Sequence, residues 1–432
     1  MCRWPKRYLV LALALVAGAL ALSWPAPAVE SEPALLARWV QLGPEGVALS
    51  RVVTTQPACP AVLVDGAAQP MEERAAPEAA YPVRVCELAL PPGASAATVE
   101  GQPLPLPPVA PRRIVVIGDT GCRLRGEEIQ ACNDPQAWPF ATVARRAAAE
   151  QPDLVVHVGD YLYREEPCPP KAAGCAGSPW GYNWAAWQAD FFAPAAPLLQ
   201  AAPWVFVRGN HELCSRAGGG WFRFLDPRPL LDACQDHTAP YVVSVGPLQL
   251  LVLDAAAAED REAPPEQVAI YASQFDELRA RAGANAWLTM HRPLWAIGAE
   301  HGADGALFQT NPTLQAASGN MLPSGVQLVL SGHIHLFEVL DFAAEPGADA
   351  PAARPPQLVV GNSGTALDPP VRAPLAGLTV AGAPVTGGWS LHQFGYFVVE
   401  PMADGWVATL RAVDGSTLAT CTFIRKRAHC AL

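Results

Sequence analysis

The sequence predicts a layered α/β protein preceded by a small β-sandwich. Three observations predict it. Short apolar runs ending in a Gly followed by Asp, Asn or His recur between Arg112 and His335. Helical stretches separate the first of these runs. The segment before Pro108 holds only short β-like runs punctuated by Gly, Pro and polar residues. A chain of 432 residues is long enough for two or three domains and a sizeable core. With 51% hydrophobic and 16% charged residues it is a folding chain, not a disordered one.

Taken in order, residues 1–28 carry Arg3, Lys6 and Arg7, then an apolar stretch from Leu9 to Leu22, then Ala26-Pro27-Ala28. This reads as a secretory signal peptide with a small-x-small cleavage site; an uncleaved anchor is the alternative, for which the apolar stretch is short. The expected destination is secreted or periplasmic, without stable membrane insertion after cleavage. Cysteine usage agrees. Of eleven Cys, Cys2 lies in the leader, and ten remain in close pairs: Cys59 and Cys86, Cys122 and Cys132, Cys168 and Cys175, Cys214 and Cys234, Cys421 and Cys430. Neighbour pairing is the simplest of the connectivities ten cysteines allow. Cysteine metal ligation is the weaker rival, because no C-x-x-C occurs.

Residues 32–108 contain ARWVQL, VALSRVV, AVLVDG, VRVCELAL and ATVEG, the expected strands of a sandwich of roughly eighty residues. PLPLPPVAPRR then reads as a stiff linker, and residues 112–432 form the second predicted domain. Within it, strands are expected at RRIVVIGD, LVVHVGD, WVFVRGNHE, AWLTMH and VQLVLSGHIH, with a hairpin in YVVSVGPLQLLVLD. FATVARRAAAE, the stretch from Trp184 to Leu199 and QFDELRARA are expected helices. QLVVGNSG, FGYFVVEP, WVATLRAV and CTFIRK supply later strands, and LDFAAEPGADAPAARPPQ is expected to be a surface loop.

Five strand ends carry the chemistry: Gly118-Asp119-Thr120-Gly121, Gly159 to Tyr163, Gly209 to Glu212, Thr289 to His291, and Gly332 to His335. Open α/β sheets place their sites outside the carboxyl ends of strands. Asp offers a hard anionic oxygen, His a neutral nitrogen, Asn a carbonyl oxygen, all metal donors. His333 and His335, two apart, leave a strand end on one side. Singly each motif is weak: a lone strand-end Asp is more often a turn or cap residue. Together and in this order they point to one centre. The net charge of −11 argues against a nucleic-acid backbone as partner, but a metal pair supplies its own positive field for a small anion.

The five blocks resemble the metallophosphoesterase (calcineurin-like) superfamily, and within it the purple acid phosphatase-like branch. The superfamily usually opens with Asp-x-His, whose His ligates the first metal; here the block is Asp119-Thr120-Gly121. Purple acid phosphatases share that Gly and use instead the Tyr of Gly-Asp-x-x-Tyr, the offset of Tyr163. The resemblance covers about three quarters of the chain. It implies a four-layer α/β/β/α sandwich with an N-terminal fibronectin III/Ig-like domain. It implies one metal on Asp119, Asp160, Tyr163 and His335, resembling Fe(III), and a second (Zn, Fe or Mn) on Asp160, Asn210, His291 and His333, with Asp160 bridging. It makes His211 and His301 the residues over the metals that meet the phosphate or leaving group. Tyr161, at the wrong offset, is expected to pack, as is His157; Arg208 and Glu212 flank the third block as supporting residues. Trp180, Tyr182 and Trp184 are expected to pack their loop.

The implied activity is hydrolysis of small phosphate monoesters by attack of a metal-bound hydroxide, as in an acid phosphatase. A phosphodiesterase or nucleotide-directed hydrolase with the same metals is the alternative. A non-enzymatic binding protein on the same scaffold is disfavoured, because every ligand position is filled.

Overall fold

A strand buried on both faces should be apolar at every position, and Ile114–Ile117 and Leu154–His157 are buried throughout. In the computed structural model, which describes residues 1–2, 34–300, 305–319, 321–343 and 354–431, these two strands pair in parallel, Ile114 opposite Leu154 and Ile117 opposite His157. Trp204–Phe206 continues the parallel set on the other side of Leu154–His157. These three strands are the middle of an eleven-stranded sheet. At one end the sheet is completed by antiparallel strands from Gly395–Met402 to Arg427–Ala431, at the other by strands of the N-terminal region. A second, eight-stranded sheet runs from the hairpin Tyr241–Val245/Leu248–Val252 through the parallel strands Ala286–Thr289, Val326–Ser331 and Gln357–Val360.

The period of two sorts the side chains into layers. Ile114, Val116, Leu154, Val156 and Val205 point toward Leu250, Trp287, Leu328, Leu330 and Leu358 of the second sheet, making the core between sheets. Val115, Ile117, Val155, Trp204 and Phe206 point the other way, onto helices. The helix Phe140–Ala149 buries Phe140, Val143, Ala144 and Ala147, an i, i+3, i+4, i+7 stripe. Trp184–Leu199 is helical throughout and passes through a π-turn at Gln188–Phe192. On the outer face of the second sheet, Tyr271, Phe275 and Leu278 of the helix Pro265–Arg281 pack with Leu314 of Pro312–Ser318 against Leu251, Leu288 and Val329. The result is an α/β/β/α sandwich. Truncating the fully buried Trp287 to Ala would cost about 3–5 kcal/mol.

The N-terminal strands make two sheets around their own core of Val40, Val52, Val62, Val64, Cys86 and Val99. One is the small sheet of Ala61–Val64, Ala67–Pro70, Ala97–Val99 and Gln102–Pro103. The other is not separate: Leu35–Leu42 pairs in parallel with Trp204–Phe206 at Gln41 and Trp204, so Ala48–Thr54, Arg84–Ala89 and Glu72–Ala75 extend the large sheet. Leu35 to Leu432 form one compact unit. Two buried guanidiniums fasten the join. Arg51 donates to the carbonyls of Phe224 and Asp226, and Arg74 to those of Phe222, Arg223, Asp226 and Arg228. They thereby satisfy the acceptors left at the end of the helix Gly218–Phe224. Glu87 accepts from Arg51 at 2.6 Å.

The five cysteine pairs of neighbours are the disulfides. Among the described residues no helix is long and apolar enough to cross a membrane. The expected signal segment lies largely outside the described residues, and so do His301 and residues 344–353 of the expected surface loop. That loop is shorter than expected: Leu340 to Phe342 belong to the strand Phe337–Phe342, and Gln357 opens another. The hairpin Ala296–Ala299/Leu307–Thr310 was not foreseen.

Candidate metal centre

The two sheets supply different donors. Strands of the large sheet end in Asp119, Asp160 and Asn210, and strands of the second sheet in His291, His333 and His335. Asp119, Asp160 and His333 hold left-handed backbone, with φ of 55°, 60° and 74°. Non-glycine residues avoid that region, and such strain gathers at sites. Gly159, at φ 107°, leads into Asp160 and lies against the His291 ring, where a Cβ would clash.

Two groups of side chains converge: Asp119, Asp160 and His335, and Asp160, His291 and His333, each with ligand atoms within 4.8 Å of one another. Asp160 belongs to both. The Tyr163 phenol is fully buried among the first group, 2.8 Å from Asp160 Oδ2, 3.1 Å from Asp119 Oδ1 and 2.9 Å from His335 Nε2. Gly121 explains why this position is Gly: a Cβ there would lie 2.7 Å from the Tyr161 carbonyl and 2.8 Å from the Tyr163 nitrogen. In the second group His291 Nε2 is 3.1 Å from Asp160 Oδ2 and 3.0 Å from Asn210 Oδ1.

Ring orientation is fixed from outside. His291 Nδ1 donates to the Val158 carbonyl at 2.8 Å and His335 Nδ1 to that of Ala366 at 3.0 Å, which turns each Nε2 toward the carboxylates. Burial pushes the Asp160 carboxyl up, but His291 and His211 outweigh it and hold it well below the usual range. Asp160 in turn holds His291 up, to about 9, against its burial. Burial, Asp160 and Asp119 push the Tyr163 phenol well above its ordinary value.

These residues fit a metal pair. One phenolic proton can satisfy only one of the two carboxylates beside it; the other then faces an oxygen lone pair at hydrogen-bonding distance, around a fully buried phenol. A cation among them removes that conflict and accepts all the oxygens and nitrogens at once.

Supporting residues appear that the sequence did not reveal. Asp190, on the π-turn, accepts from the backbone N–H groups of Cys122, Tyr163 and Arg164 and fixes the Tyr163 loop. Asp260 Oδ2 lies 2.8 Å from His333 Nε2 and pairs with Arg292. Neither acid sits in a periodic or motif context; only the fold brings it in. Glu165 Oε1 lies 2.8 Å from His211 Nδ1 and pairs with Arg216; against its burial, His211 and then Arg216 hold its carboxyl down at about 2. His211 Nε2 has Arg216 Nη2 at 2.9 Å and lies 3.8 Å from Asp160 Oδ2. Its backbone N–H donates to Asp160 Oδ1 at 2.8 Å.

Other residues fall as follows. Glu212 accepts from the N–H groups of Tyr161, Leu162 and Gly209, tying the second and third blocks together. Arg208 points away, to the carbonyls of Glu212 and Gln235 and to Asp254. Tyr161 stacks on His157 in the outer core. The aromatic trio divides: Trp184 is buried, while Trp180 and Tyr182 are exposed, because Tyr182 spends its hydroxyl on Glu165 Oε2 at 2.8 Å. The cavity over the centre has a volume of about 280 Å³. A larger cavity of about 460 Å³, lined by Pro111, Met402, Trp406 and Phe423, carries none of the motif side chains.

Residues 112–337 match the family model of calcineurin-like phosphoesterases. The chain belongs to the calcineurin-like phosphoesterases. Two solved structures share the architecture of this phosphoesterase. A purple acid phosphatase, PPD1, from yellow lupin (Lupinus luteus) seeds is 15% identical, with a TM-score of 0.55 over 91% of this chain and 73% of that one. PhoD is 14% identical, with a TM-score of 0.59 over 94% of each chain. At such identities the likeness is one of fold. No curated protein matches the phosphoesterase by sequence. Family, fold and the two Asp/His groups together imply a dinuclear metal centre.

Proposed function

We propose that the protein is an exported, dinuclear-metal hydrolase of phosphate monoesters. The observation that carries this reading is the Tyr163 phenol set among Asp119, Asp160 and His335, with Gly121 in place of a histidine. The first ion would be held by Asp119, Asp160, Tyr163 and His335, the second by Asp160, Asn210, His291 and His333. A phenolate donor suits a trivalent ion such as Fe(III) in the first position, with Zn, Fe or Mn in the second. When bound, such a pair polarises phosphoryl oxygens and lowers the pKa of a water.

The chain's own residues do the rest. His211 Nε2 borders the cavity, and Glu165 on Nδ1 fixes the orientation. With the Nδ1 proton given to Glu165, Nε2 donates to phosphate or to the leaving oxygen only while the ring is protonated, and burial, which pulls its pKa down to about 4, confines that role to acidic pH. Glu212 and Asp190 hold the loops of Asp160 and Tyr163 through backbone donors, so the site is ordered before a substrate enters. His301 keeps its expected role at the leaving group as a proposal. Five disulfides support export to an oxidising compartment.

The test is turnover of an aryl phosphate monoester against the matching diester, across acidic to alkaline pH, with metal-loaded protein made in an oxidising compartment. Preferred monoester turnover supports the reading. Diester preference reassigns the enzyme as a phosphodiesterase. No turnover with both ions bound overturns the enzymatic assignment.

A further inference from the structure

The cavity over the centre has two unlike walls. On one, Arg261 lies over the Phe308 ring at 4.0 Å and pairs with Glu300 at 3.0 Å. The Phe308 ring also packs on Gly298, where there is no room for a Cβ. Arg261 therefore already covers a face of that ring.

The other wall is built from guanidiniums. Arg123 and Arg125 come from the small hairpin Leu124–Arg125/Glu128–Ile129, and Arg216 from the segment after Asn210; all three line the cavity. Two disulfides, Cys122–Cys132 and Cys214–Cys234, staple the loops that carry them. Arg123 is matched by Glu128. Arg125 and Arg216 share one carboxylate, Glu165, and that carboxylate is already saturated. It takes His211 Nδ1, the Arg216 fork and the Tyr182 hydroxyl, leaving Arg125 Nη1 at 3.8 Å. Arg125 is 53% exposed, and Glu165 is its ion-pair partner among the described residues. Asp368 also borders the cavity, but it serves the His335 backbone N–H at 2.8 Å. The formal charges of this wall balance, three guanidiniums against Glu128, Glu165 and Asp368, but Arg125 is the guanidinium whose carboxylate is spent on other donors, which leaves its fork open to an incoming anion.

Arg125 touches none of the candidate metal ligands; its link to Asp160 runs through Glu165 at 3.8 Å, then His211 at 2.8 Å, then Asp160 at 3.8 Å. It faces the space where the leaving portion of a substrate would lie. We propose that Arg125, with Arg123 lining the cavity beside it, forms a second-anion subsite that takes a phosphate on the leaving group, so that the preferred substrates are organic bisphosphates. A guanidinium fork suits the several oxygens of a phosphate, and that of Arg125 is half exposed on the cavity wall. The inference rests on the phosphoester hydrolase reading above and narrows its substrate class.

The experiment compares kcat/KM for a hexose bisphosphate with that for the matching hexose monophosphate, using metal-loaded wild type, Arg125→Ala and Arg261→Ala. The wild type should prefer the bisphosphate. Arg125→Ala should lower that preference about fivefold, through KM, as expected for a half-exposed charge pair. Arg261→Ala, on the opposite wall, should leave the ratio where it was. Equal ratios in wild type and Arg125→Ala, or an equal loss in both variants, overturn the subsite. A phosphoglycerate, carrying a carboxylate instead, should fall below the bisphosphate; a match or better overturns the phosphate assignment. Calorimetric titration of the loaded protein with the same two sugars reads the subsite without turnover. Tighter bisphosphate binding that Arg125→Ala abolishes upholds it even if neither sugar is hydrolysed, and equal affinities end it.

Discussion

The acidic half of the centre and its imidazole half are held in different ways. Asp119, Asp160 and Tyr163 sit on loops pinned by backbone N–H groups donating to buried carboxylates, Glu212 and Asp190. The histidines are held through their rings, by carbonyls at His291 and His335 and by a side chain at His333. The first kind of support belongs to the fold. The second hangs on single atoms, and at His333 on one partly exposed acid in a loop. Strand ends buried between sheets give rigid donors, and the half that reaches across from the second sheet carries the weak point.

The comparison can be broken most severely at the residue both groups share. Asp160→Asn should remove both ions and lower kcat on the order of 10³-fold or more, read by metal analysis beside turnover; retention of both ions would deny its bridging role. Tyr163→Phe should abolish the visible charge-transfer band of a ferric first site, and an unchanged band would end the tyrosinate assignment. His211→Ala should lower kcat about 10²–10³-fold with metal content kept. Loss of metal instead would make it a ligand or a prop. Asp260→Asn sharpens the contrast between halves: affinity for the second ion should fall about 10–100-fold while the first stays. Equal weakening of both would show that the halves are not independent.

The smallest effect lies behind the imidazole half. Glu338 is buried, accepts one hydrogen bond from the Ile297 N–H, and burial pushes its carboxyl up from 4.5 to about 8. Between those values the folded protein keeps a proton that the unfolded chain has lost, so stability should fall as pH rises through that window. Denaturant melts should show Glu338→Gln losing this slope and gaining relative stability on the alkaline side. An unaltered slope would mean the carboxyl is already ionised in the fold.

Much of this was legible in the sequence, for a physical reason. Parallel strands covered on both faces read as unbroken apolar runs, and turns at their ends demand Gly beside the functional residue, so LVVHVGD and VQLVLSGH announce both element and site. Asp190, Asp260 and Glu165 were not legible in their roles: a single acid in a helix or loop looks like any solvated residue until distant strands place it beside a histidine or a backbone amide. The pairing of Gln41 with Trp204 was equally hidden, since each strand reads as an ordinary β run and nothing local states its partner. The aromatic trio failed for a related reason: Tyr182 could pack or hydrogen-bond, and the partner that decided it, Glu165, lies seventeen residues away.

The join at Trp204 also bears on how the chain can be cut and made. The strand that ends at Asn210 has one flank covered by Leu35–Leu42, so a fragment starting at Arg112 would carry a bare strand edge and unclaimed helix-end carbonyls beside its metal site. During synthesis Leu35–Leu42 emerges well before Trp204–Phe206 and has only its antiparallel neighbour Ala48–Thr54 to pair with until then. The N-terminal region is thus less an appended module than the flank of the active half, and removing it should produce sticky, metal-poor protein in place of a lean catalytic core.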